Sequence, residues 1–343
     1  MRHTLLLLIS TIMLCAVPAH PTTPTTQKGN KMDRNLFGKE PIYKLRMRGN
    51  GKFIVFINGV DVFRSFSEGN HALITVNDYM IDGDNNISLM MFDRPKLDPK
   101  SWGVVSLEVY YTDKSGTSRH HTLSRLVYDL TLKEKTGDAS KPGFYRFDDD
   151  KGMIEDRNGT LIIGKIVTKP ETMYRNEKQD GIKATQSVRI PAPYPRWRFL
   201  DAPDIIDTNY DYLSEEEYNK LKHSPKIKAL YALDAKLRAA LKAKNPQSII
   251  DLFSERFEEE AAALYDTPQN LKKILLDDFL EYVNNPNAEM IEWHGEDLYF
   301  VIEQNRKLAW IRPINYYDKS TKLYHIYYIK YRLNKQGEWV ITR

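Results

Sequence analysis

A short run of side chains suited to binding occurs near the middle of the chain. Tyr194, Arg196, Trp197 and Arg198 fall within five residues, in the segment IPAPYPRWRF. Tryptophan, tyrosine and arginine concentrate binding energy at protein interfaces, so the run is a candidate partner-binding surface. A competing interpretation, which we favour, is that Trp197 only anchors the proline-rich segment onto the second domain.

A second candidate lies in the last third of the chain, where aromatic side chains alternate. In the predicted strand KLYHIYYIKYRL, residues 322–333, His325 and Tyr327 fall on the same face as Tyr331. Trp310, on the preceding predicted strand, could line a pocket with them that takes a small apolar or carbohydrate ligand. Packing in a hydrophobic core explains the same alternation, and it is the interpretation that we favour.

Motifs for catalysis and metal binding are missing from the sequence. It has no Gly-x-Ser-x-Gly, phosphate-loop or dinucleotide-binding motif. His120 and His121 are adjacent, so on a strand they point to opposite faces and cannot hold one metal together. A predicted turn with His294, Glu296 and Asp297 is better explained by solvated side chains. We therefore predict no catalytic residue, no metal and no cofactor, and the sequence leans against an enzyme without deciding the matter.

The beginning of the chain has the anatomy of a secretory signal peptide. Arg2 and His3 precede a mostly apolar run over residues 5–17. This run is too short to cross a bilayer, which needs about 20 apolar residues, and the small-residue pattern after it predicts cleavage after Ala19. The expected address is the periplasm or the exterior, without a transmembrane anchor. Cleavage would remove Cys15, the one cysteine, and with it all thiol chemistry.

Residues 42–132 show the pattern of several short β-strands. Asn58-Gly59 between two β-rich runs is a strong hairpin signal, because both residues tolerate the positive φ of a type I′ turn. The runs FIVFINGVDVF and ITVNDYMIDGDNNISLMMF, the second with the turn Gly83-Asp84-Asn85-Asn86-Ile87, resemble immunoglobulin-like and jelly-roll accessory modules. The resemblance implies an antiparallel β-sandwich and no particular site.

From residue 225 onward the apolar spacing changes to that of amphipathic helices, followed by strand-like runs. Asn245-Pro246 and Thr267-Pro268 are predicted helix starts, with a capping residue followed by proline at the first helical position. The fragment LRAALKAKNPQSIIDLFSERF is similar to the opening of the nuclear-transport-factor-two-like (SnoaL-like) family. That resemblance implies a cone of helices packed on a curved antiparallel sheet, with a pocket between them.

The predicted fold class is thus α+β overall, with a β-sandwich followed by a cone. The predicted segments are a signal peptide (1–19), a flexible leader (20–40), the β-sandwich (41–168), a proline-rich ordered connector (169–224) and the α+β cone (225–343).

Two functions stay open at this point. One is a non-enzymatic exported binding protein of the bacterial envelope, for instance an immunity or protein-interaction factor with another protein as its partner. The other is a small-ligand (lipid or carbohydrate) binding protein or enzyme that uses the cone pocket. A nucleic-acid partner is not expected, because the net charge is only +4 and no dense basic stripe occurs. Titratable groups converging inside the cone would favour the second function, and a cone filled with aromatic side chains the first.

Overall fold

The structure, a computed structural model, describes residues 37–65, 70–92, 102–129, 144–146, 167–174, 178–207, 215–293 and 299–342. These residues all lie within one compact unit, Met32–Arg343. They form four antiparallel sheets and five α-helices, which is the mixed α and β content that the sequence predicts.

Ten strands make up the first half of the described chain: β1 (Ile42–Asn50), β2 (Phe53–Ile57), β3 (Val60–Ser65), β4 (Asn70–Thr75), β5 (Gly83–Phe92), β6 (Trp102–Thr112), β7 (Ser118–Asp129), β8 (Phe144–Arg146), β9 (Val167–Tyr174) and β10 (Lys178–Ile190). They form two five-stranded sheets, with the orders β4-β1-β6-β7-β8 and β3-β2-β5-β10-β9. Each sheet buries one face in a shared core, the first core, to which β1 contributes Leu45 and β5 contributes Leu89.

The predicted hairpin at Asn58-Gly59 is confirmed. Both residues have positive φ, 52° and 76°, and they join β2 to β3 as an antiparallel pair. Strand β2 reads as a continuous apolar run because both of its faces are buried. Phe53 and Val55 face the first core, while Ile54 lies in a small separate cluster on the other face.

The second sheet continues beyond residue 168, where the sequence analysis ended the first domain. Strand β10 pairs with β5 over Gly181–Ile190 and with β9 on its other side. The predicted connector, 169–224, therefore includes residues at its beginning that belong to the second sheet. This part of the chain contains β9 and β10, which pair with each other as neighbours, while the pairing that joins them to the second sheet is with β5, about a hundred residues earlier in the chain.

The start of the first half also differs from the prediction. The signal peptide and most of the predicted leader lie outside the described residues, but residues 37–40 are described. Phe37 is buried in the first core, with its ring centroid 5.4 Å from that of Tyr111 and 6.4 Å from that of Tyr43. Ordered structure therefore begins at least at Phe37, since burial of an aromatic ring fixes the chain there.

The second half begins with five helices: α1 (Glu215–Lys222), α2 (Pro225–Lys242), α3 (Pro246–Leu252), α4 (Ser254–Leu264) and α5 (Pro268–Asn284). The two predicted helix starts are confirmed, because the side chain of Asn245 accepts from Ser248 N and that of Thr267 from Asn270 N. Helix α1 lies at the end of the predicted connector. One predicted helix is divided at Phe253, which separates α3 from α4.

Seven short strands follow: β11 (Ala288–Met290), β12 (Phe300–Ile302), β13 (Leu308–Ile311), β14 (Ile314–Asp318), β15 (Leu323–Tyr327), β16 (Lys330–Leu333) and β17 (Trp339–Ile341). They pair in the orders β11-β14-β15 and β12-β13-β16-β17. Two strands predicted as continuous are each divided. Pro313, which has no N–H for a ladder bond, lies between β13 and β14, and residues 328–329 separate β15 from β16.

The helices and one face of these sheets enclose a second core, which includes Phe253, Phe279 and Tyr331. The two halves also share contacts. Leu308 of β13 and Ala263 of α4 belong to the first core. The buried amide of Asn77 donates to the carbonyl of Pro41 in the first half (2.9 Å) and to that of Ala263 in the second (2.8 Å). The opposite face of the β12–β13–β16 sheet is thus directed toward the first half of the chain.

Candidate binding site

The aromatic residues of the predicted connector surface are buried. Trp197 is 2% exposed, belongs to the first core, and donates from Nε1 to the carbonyl of Met80 at 2.7 Å. Tyr194 is buried beside it, with ring centroids 5.8 Å apart. Trp197 therefore anchors the proline-rich segment. The surface to which it is anchored belongs to the first half of the chain and not to the second domain.

The two arginines of that segment are exposed and paired with carboxylates. Arg196 bonds to Asp201 at 3.0 Å. Arg198 bonds to Glu258 at 2.7 Å, and its backbone N–H donates to Glu259 at 2.6 Å. The four residues thus do not form one exposed surface. Exposed ion pairs of this kind contribute little free energy. The contacts of Arg198 link the segment to α4, whereas the Arg196–Asp201 pair lies within the segment.

The residues of the predicted strand pocket lie on two different faces. His325 stacks on Tyr282 of α5 at 3.9 Å between centroids, and Tyr327 packs on Phe279 of the same helix at 4.7 Å. Trp310 lies between Ala309 and Ile311, which both point into the second core, so its own side chain points to the opposite face. The expected pocket of His325, Tyr327 and Trp310 is therefore not formed, because Trp310 was assigned to the wrong face.

The space between the helices and their sheet is filled by aliphatic and aromatic side chains of the second core. A buried polar group lies there: Tyr331 donates to Asp234 at 2.8 Å, and Arg238 bonds to the other oxygen of Asp234 at 2.7 Å. Arg238 also donates to the carbonyl of Arg312 at 2.7 Å. Both oxygens of Asp234 are thus engaged, whereas Arg238 Nη1 is buried without an acceptor among the described residues.

A cavity of about 380 Å³ lies on the other face of the sheet, where β3 of the first half meets β13 and β16. We call it the junction cavity. Its charged lining residues are Asp61, Arg64, Glu303 and Lys330, and its aromatic ones are Phe63, Tyr79, Trp310 and Tyr328. Of the residues singled out in the sequence, Trp310 alone lies here.

The four charged residues of the junction cavity form one buried cluster. Arg64 forms an ion pair with Asp61, and the side chains of both are at most 6% exposed. Lys330 bonds to Glu303 at 3.0 Å and also donates to the backbone carbonyl of Asp61. Glu303 accepts from the backbone N–H of Asp61 at 2.9 Å. The cluster therefore links β3 to the sheet of the second half through groups that water does not reach.

Burial shifts the pKa of a carboxyl group in this cluster. Desolvation raises the pKa of Asp61 to about 7, against the opposing attraction of Arg64 and with a further rise from Glu303. Arg64 lies over the ring of Trp310, with the guanidinium carbon 4.9 Å from the ring centroid. Its Nη1 is buried and finds no hydrogen-bond acceptor in the part of the chain that the structure describes.

Strand β15 continues outward from the rim of the junction cavity and is an edge of its sheet. Among the described residues it pairs with β14 alone. Large apolar side chains are exposed along it: Leu323 by 58%, Tyr324 by 59% and Ile326 by 49%, followed by Tyr328 by 39%. Ile326 and Tyr328 also line the junction cavity, so the exposed strip and the cavity form one continuous surface.

A larger cavity, of about 850 Å³, lies at the end of the first sheet beside the turn after β6. Its main carboxylate, Asp113, already accepts from Ser115, Thr117 and Arg119. These bonds stabilise the turn itself. We therefore regard this cavity as a consequence of turn structure and the junction cavity as the better candidate.

Sequence reasoning found the alternation of β15 but not the charged cluster. A clue was present, since Asp61 interrupts the apolar run Val60–Phe63 and an isolated charge in such a run calls for a buried partner. Its partners Glu303 and Lys330 lie more than 240 residues away, and no local pattern connects them.

Within the described ranges, no group of three or more histidine, cysteine, aspartate or glutamate residues is placed to hold a metal ion. The turn with His294, Glu296 and Asp297 lies outside those ranges. None of the described helices is long and apolar enough to span a membrane. Comparison with protein-family models, with curated proteins and with solved structures found no match.

Proposed function

We propose that this chain is a non-enzymatic, exported binding protein of the bacterial envelope that binds an extended segment of a partner protein along strand β15. The observation that carries the proposal is the open edge of β15 together with its exposed row of Leu323, Tyr324 and Ile326. An immunity or protein-interaction factor is the kind of protein that this surface suits.

An open strand edge presents unpaired backbone N–H and C=O groups, and soluble proteins commonly shield such edges with charges, proline or a covering element. Strand β15 reads LYHIY, which contains no lysine, arginine, acidic residue or proline. In β-strand addition, backbone hydrogen bonds supply affinity while side chains at alternate positions supply specificity. The chemistry of β15 therefore fits a second strand better than it fits a helix or a small molecule.

The charge around β15 narrows the class of partner. The strand carries no acidic residue, and Lys322 immediately before it is exposed. Lys319, in the preceding turn, is already paired with Glu289 at 2.7 Å. The partner that fits is an extended segment with apolar side chains at alternate positions and an acidic residue placed to meet Lys322.

The apolar filling of the second core favours a binding role over catalysis in a cone pocket. The carboxylate of Asp234 is already engaged by Tyr331 and Arg238. The same proposal includes the finer architecture, an immunoglobulin-like β-sandwich followed by a nuclear-transport-factor-two-like cone, and export to the periplasm or beyond. These are consistent with the shared core of the two five-stranded sheets and with helices packed on the bent strands.

The test is quantitative affinity capture of the tagged protein from its native host. The wild-type chain is compared with the double variant Tyr324→Lys/Ile326→Lys, which places two charges on the exposed strip. The control is Leu73→Lys, because Leu73 is 43% exposed on β4, which is also an edge strand of its sheet. We expect one stoichiometric partner that is recovered with wild type and control and falls at least tenfold with the double variant. Equal recovery with all three proteins contradicts the proposal.

A further inference from the structure

The first sheet has one face in the first core and an opposite face that carries basic side chains, which we call the outer face. Alternate residues of β1 are buried in the core, so Lys44, Arg46 and Arg48 between them point to the outer face. In the ladder with β4, Arg48 lies opposite His71, which is also exposed. Three cations therefore follow one another along a single strand on the same side of the sheet.

The positive charge of the outer face is only partly neutralised by the described residues. The carboxylate of Glu108 lies on this face but is 4% exposed, and it already accepts from Arg46 at 2.8 Å and from the hydroxyl of Tyr110 at 2.7 Å. Lys44 and Arg48 form no ion pair with a described residue. Since basic and acidic residues are nearly balanced over the whole chain, 50 against 46, these two cations give the outer face a local excess that attracts anions.

Large apolar side chains are exposed beside these cations. Leu73 of β4 lies opposite Arg46, and Trp102 of β6 lies opposite Asn50, so both point to the outer face, where both are exposed. Arg48 is two residues from each of these ladder positions, which makes Leu73 and Trp102 its diagonal neighbours. The outer face thus offers cations and exposed apolar groups side by side.

This combination favours an anionic bilayer over a soluble polyanion. A soluble polyanion would use the cations alone and leave Leu73 and Trp102 in water. At a bilayer surface, basic side chains attract anionic headgroups, and tryptophan is enriched at the level of those headgroups because its ring is amphipathic. Long basic side chains also keep their charged ends among the headgroups while their stems contact apolar surface.

We infer that the outer face of the first sheet binds an anionic phospholipid bilayer, with Lys44 and Arg48 at the headgroup phosphates and Trp102 in the interfacial region. The attachment is peripheral and reversible, because a few cations and one or two apolar side chains supply far less free energy than a spanning helix. The outer face and β15 belong to different sheets, so this inference and the proposed function can fail independently.

The test is cosedimentation of the full protein with vesicles of phosphatidylglycerol and phosphatidylcholine in equal parts, compared with vesicles of phosphatidylcholine alone. We expect binding to the mixed vesicles at low ionic strength, at least tenfold weaker binding to phosphatidylcholine, and loss of binding in about 0.5 M NaCl, which screens the charges. Lys44→Gln/Arg48→Gln should weaken binding to the mixed vesicles at least tenfold, since each basic residue near a membrane contributes about fivefold. The matched control, Lys228→Gln/Lys236→Gln, removes the same charge from exposed positions on α2 and should leave the affinity unchanged.

Tryptophan fluorescence with brominated phosphatidylglycerol tests the apolar contact separately. Bromine on the acyl chains should quench Trp102 in the wild-type protein, and Trp102→Phe should lose most of this quenching because Trp197, Trp310 and Trp339 are buried. Equal affinity for the two kinds of vesicle, no binding to either, or equal weakening by the two double variants overturns the inference. Binding without quenching overturns it as well, because a purely ionic contact would leave Trp102 in water.

Discussion

Two regions of the molecule combine tryptophan with tyrosine and arginine, and they differ in the surface that lies beside them. Around Trp197, the indole N–H has a backbone acceptor and the arginines have carboxylate partners. Around Trp310, a buried arginine nitrogen has no acceptor, and the neighbouring strand exposes a row of apolar side chains. The first region thus stabilises the fold, whereas the second has unused capacity for binding.

This difference shows what residue type alone cannot decide. Both regions have the composition that is typical of interface hot spots. What separates them is the exposed apolar surface beside Trp310, which depends on contacts distant in sequence. Each prediction below tests one side of the comparison.

The largest effect is expected from Trp197→Ala. Removal of this buried indole leaves a cavity in the first core and an unpaired Met80 carbonyl, so the free energy of unfolding should fall by about 3–5 kcal/mol. Urea denaturation followed by circular dichroism measures it. Trp102→Ala is the control, because Trp102 is 37% exposed and should cost far less. Similar losses in the two variants would show that the Trp197 region is not the anchor described here.

The second prediction concerns the buried cluster around Asp61. Its folded-state pKa of about 7 lies above the unfolded value of about 3.9, so the folded state binds this proton more tightly. The contribution of Asp61 to stability is therefore largest below about pH 4, declines as the pH rises to 7 and is constant above. The unfolding free energy of wild type relative to Asp61→Asn should accordingly be lower at pH 8 than at pH 5.

Asp84→Asn is a control of the opposite sign for this measurement. The hydrogen bond from Arg189 lowers the pKa of Asp84. The contribution of Asp84 to the free energy of unfolding is therefore present at pH values above the ordinary aspartate pKa and is lost as the pH falls. A wild-type advantage over Asp61→Asn that stays constant from pH 5 to pH 8 would contradict the electrostatic account of the junction.

A smaller effect is expected at Tyr194. Burial raises the pKa of Tyr194 well above its ordinary value, and its neutral hydroxyl has no partner among the described residues. Tyr194→Phe removes this desolvated group, so stability should stay the same or rise by up to about 1 kcal/mol. Tyr43→Phe is the matched control, because the hydroxyl of Tyr43 donates to the carbonyl of Pro191 at 2.5 Å. The midpoint temperature of thermal unfolding should be equal to or higher than that of wild type for Tyr194→Phe. It should be lower than that of wild type for Tyr43→Phe.

The smallest effect on stability is expected at the proposed binding edge. Ile326→Lys replaces an exposed side chain, so the free energy of unfolding should change by no more than about 0.5 kcal/mol. Ile329→Lys should be strongly destabilising, because Ile329 is buried in the second core only three residues later. Differential scanning calorimetry of the two variants decides this, and a large loss at Ile326 would mean that the strip contributes to folding.

Features of the fold that depend on residues close together in the chain could be predicted from the sequence. The Asn58-Gly59 turn and the caps at Asn245 and Thr267 depend on neighbouring residues, and they were predictable for that reason. The bends in the long strands were missed, although Pro313 marks one of them. The membership of β10 in the second sheet and the cluster of Asp61 with Lys330 depend on partners that no short-range pattern identifies.

The candidate site was predictable to a similar extent. Alternation placed His325 and Tyr327 on one face of the strand, and in the structure both pack on α5. Trp310 was grouped with His325 and Tyr327, but it lies on another face, beside the junction cavity. Its face depends on the register of β13 with β16, where Trp310 lies opposite Lys330. Register is a property of the folded sheet that a single sequence does not display.

The central claim, that β15 binds a segment of another protein, is tested most directly by photo-cross-linking in the native host. A photoreactive amino acid is introduced in place of Ile326 or, as a control on another edge strand, in place of Leu73. The account predicts a cross-link from position 326 to an extended, apolar segment of one partner protein, and none from position 73. A cross-link from position 326 only to this chain itself or to a second copy, or the same products from both positions, would contradict it.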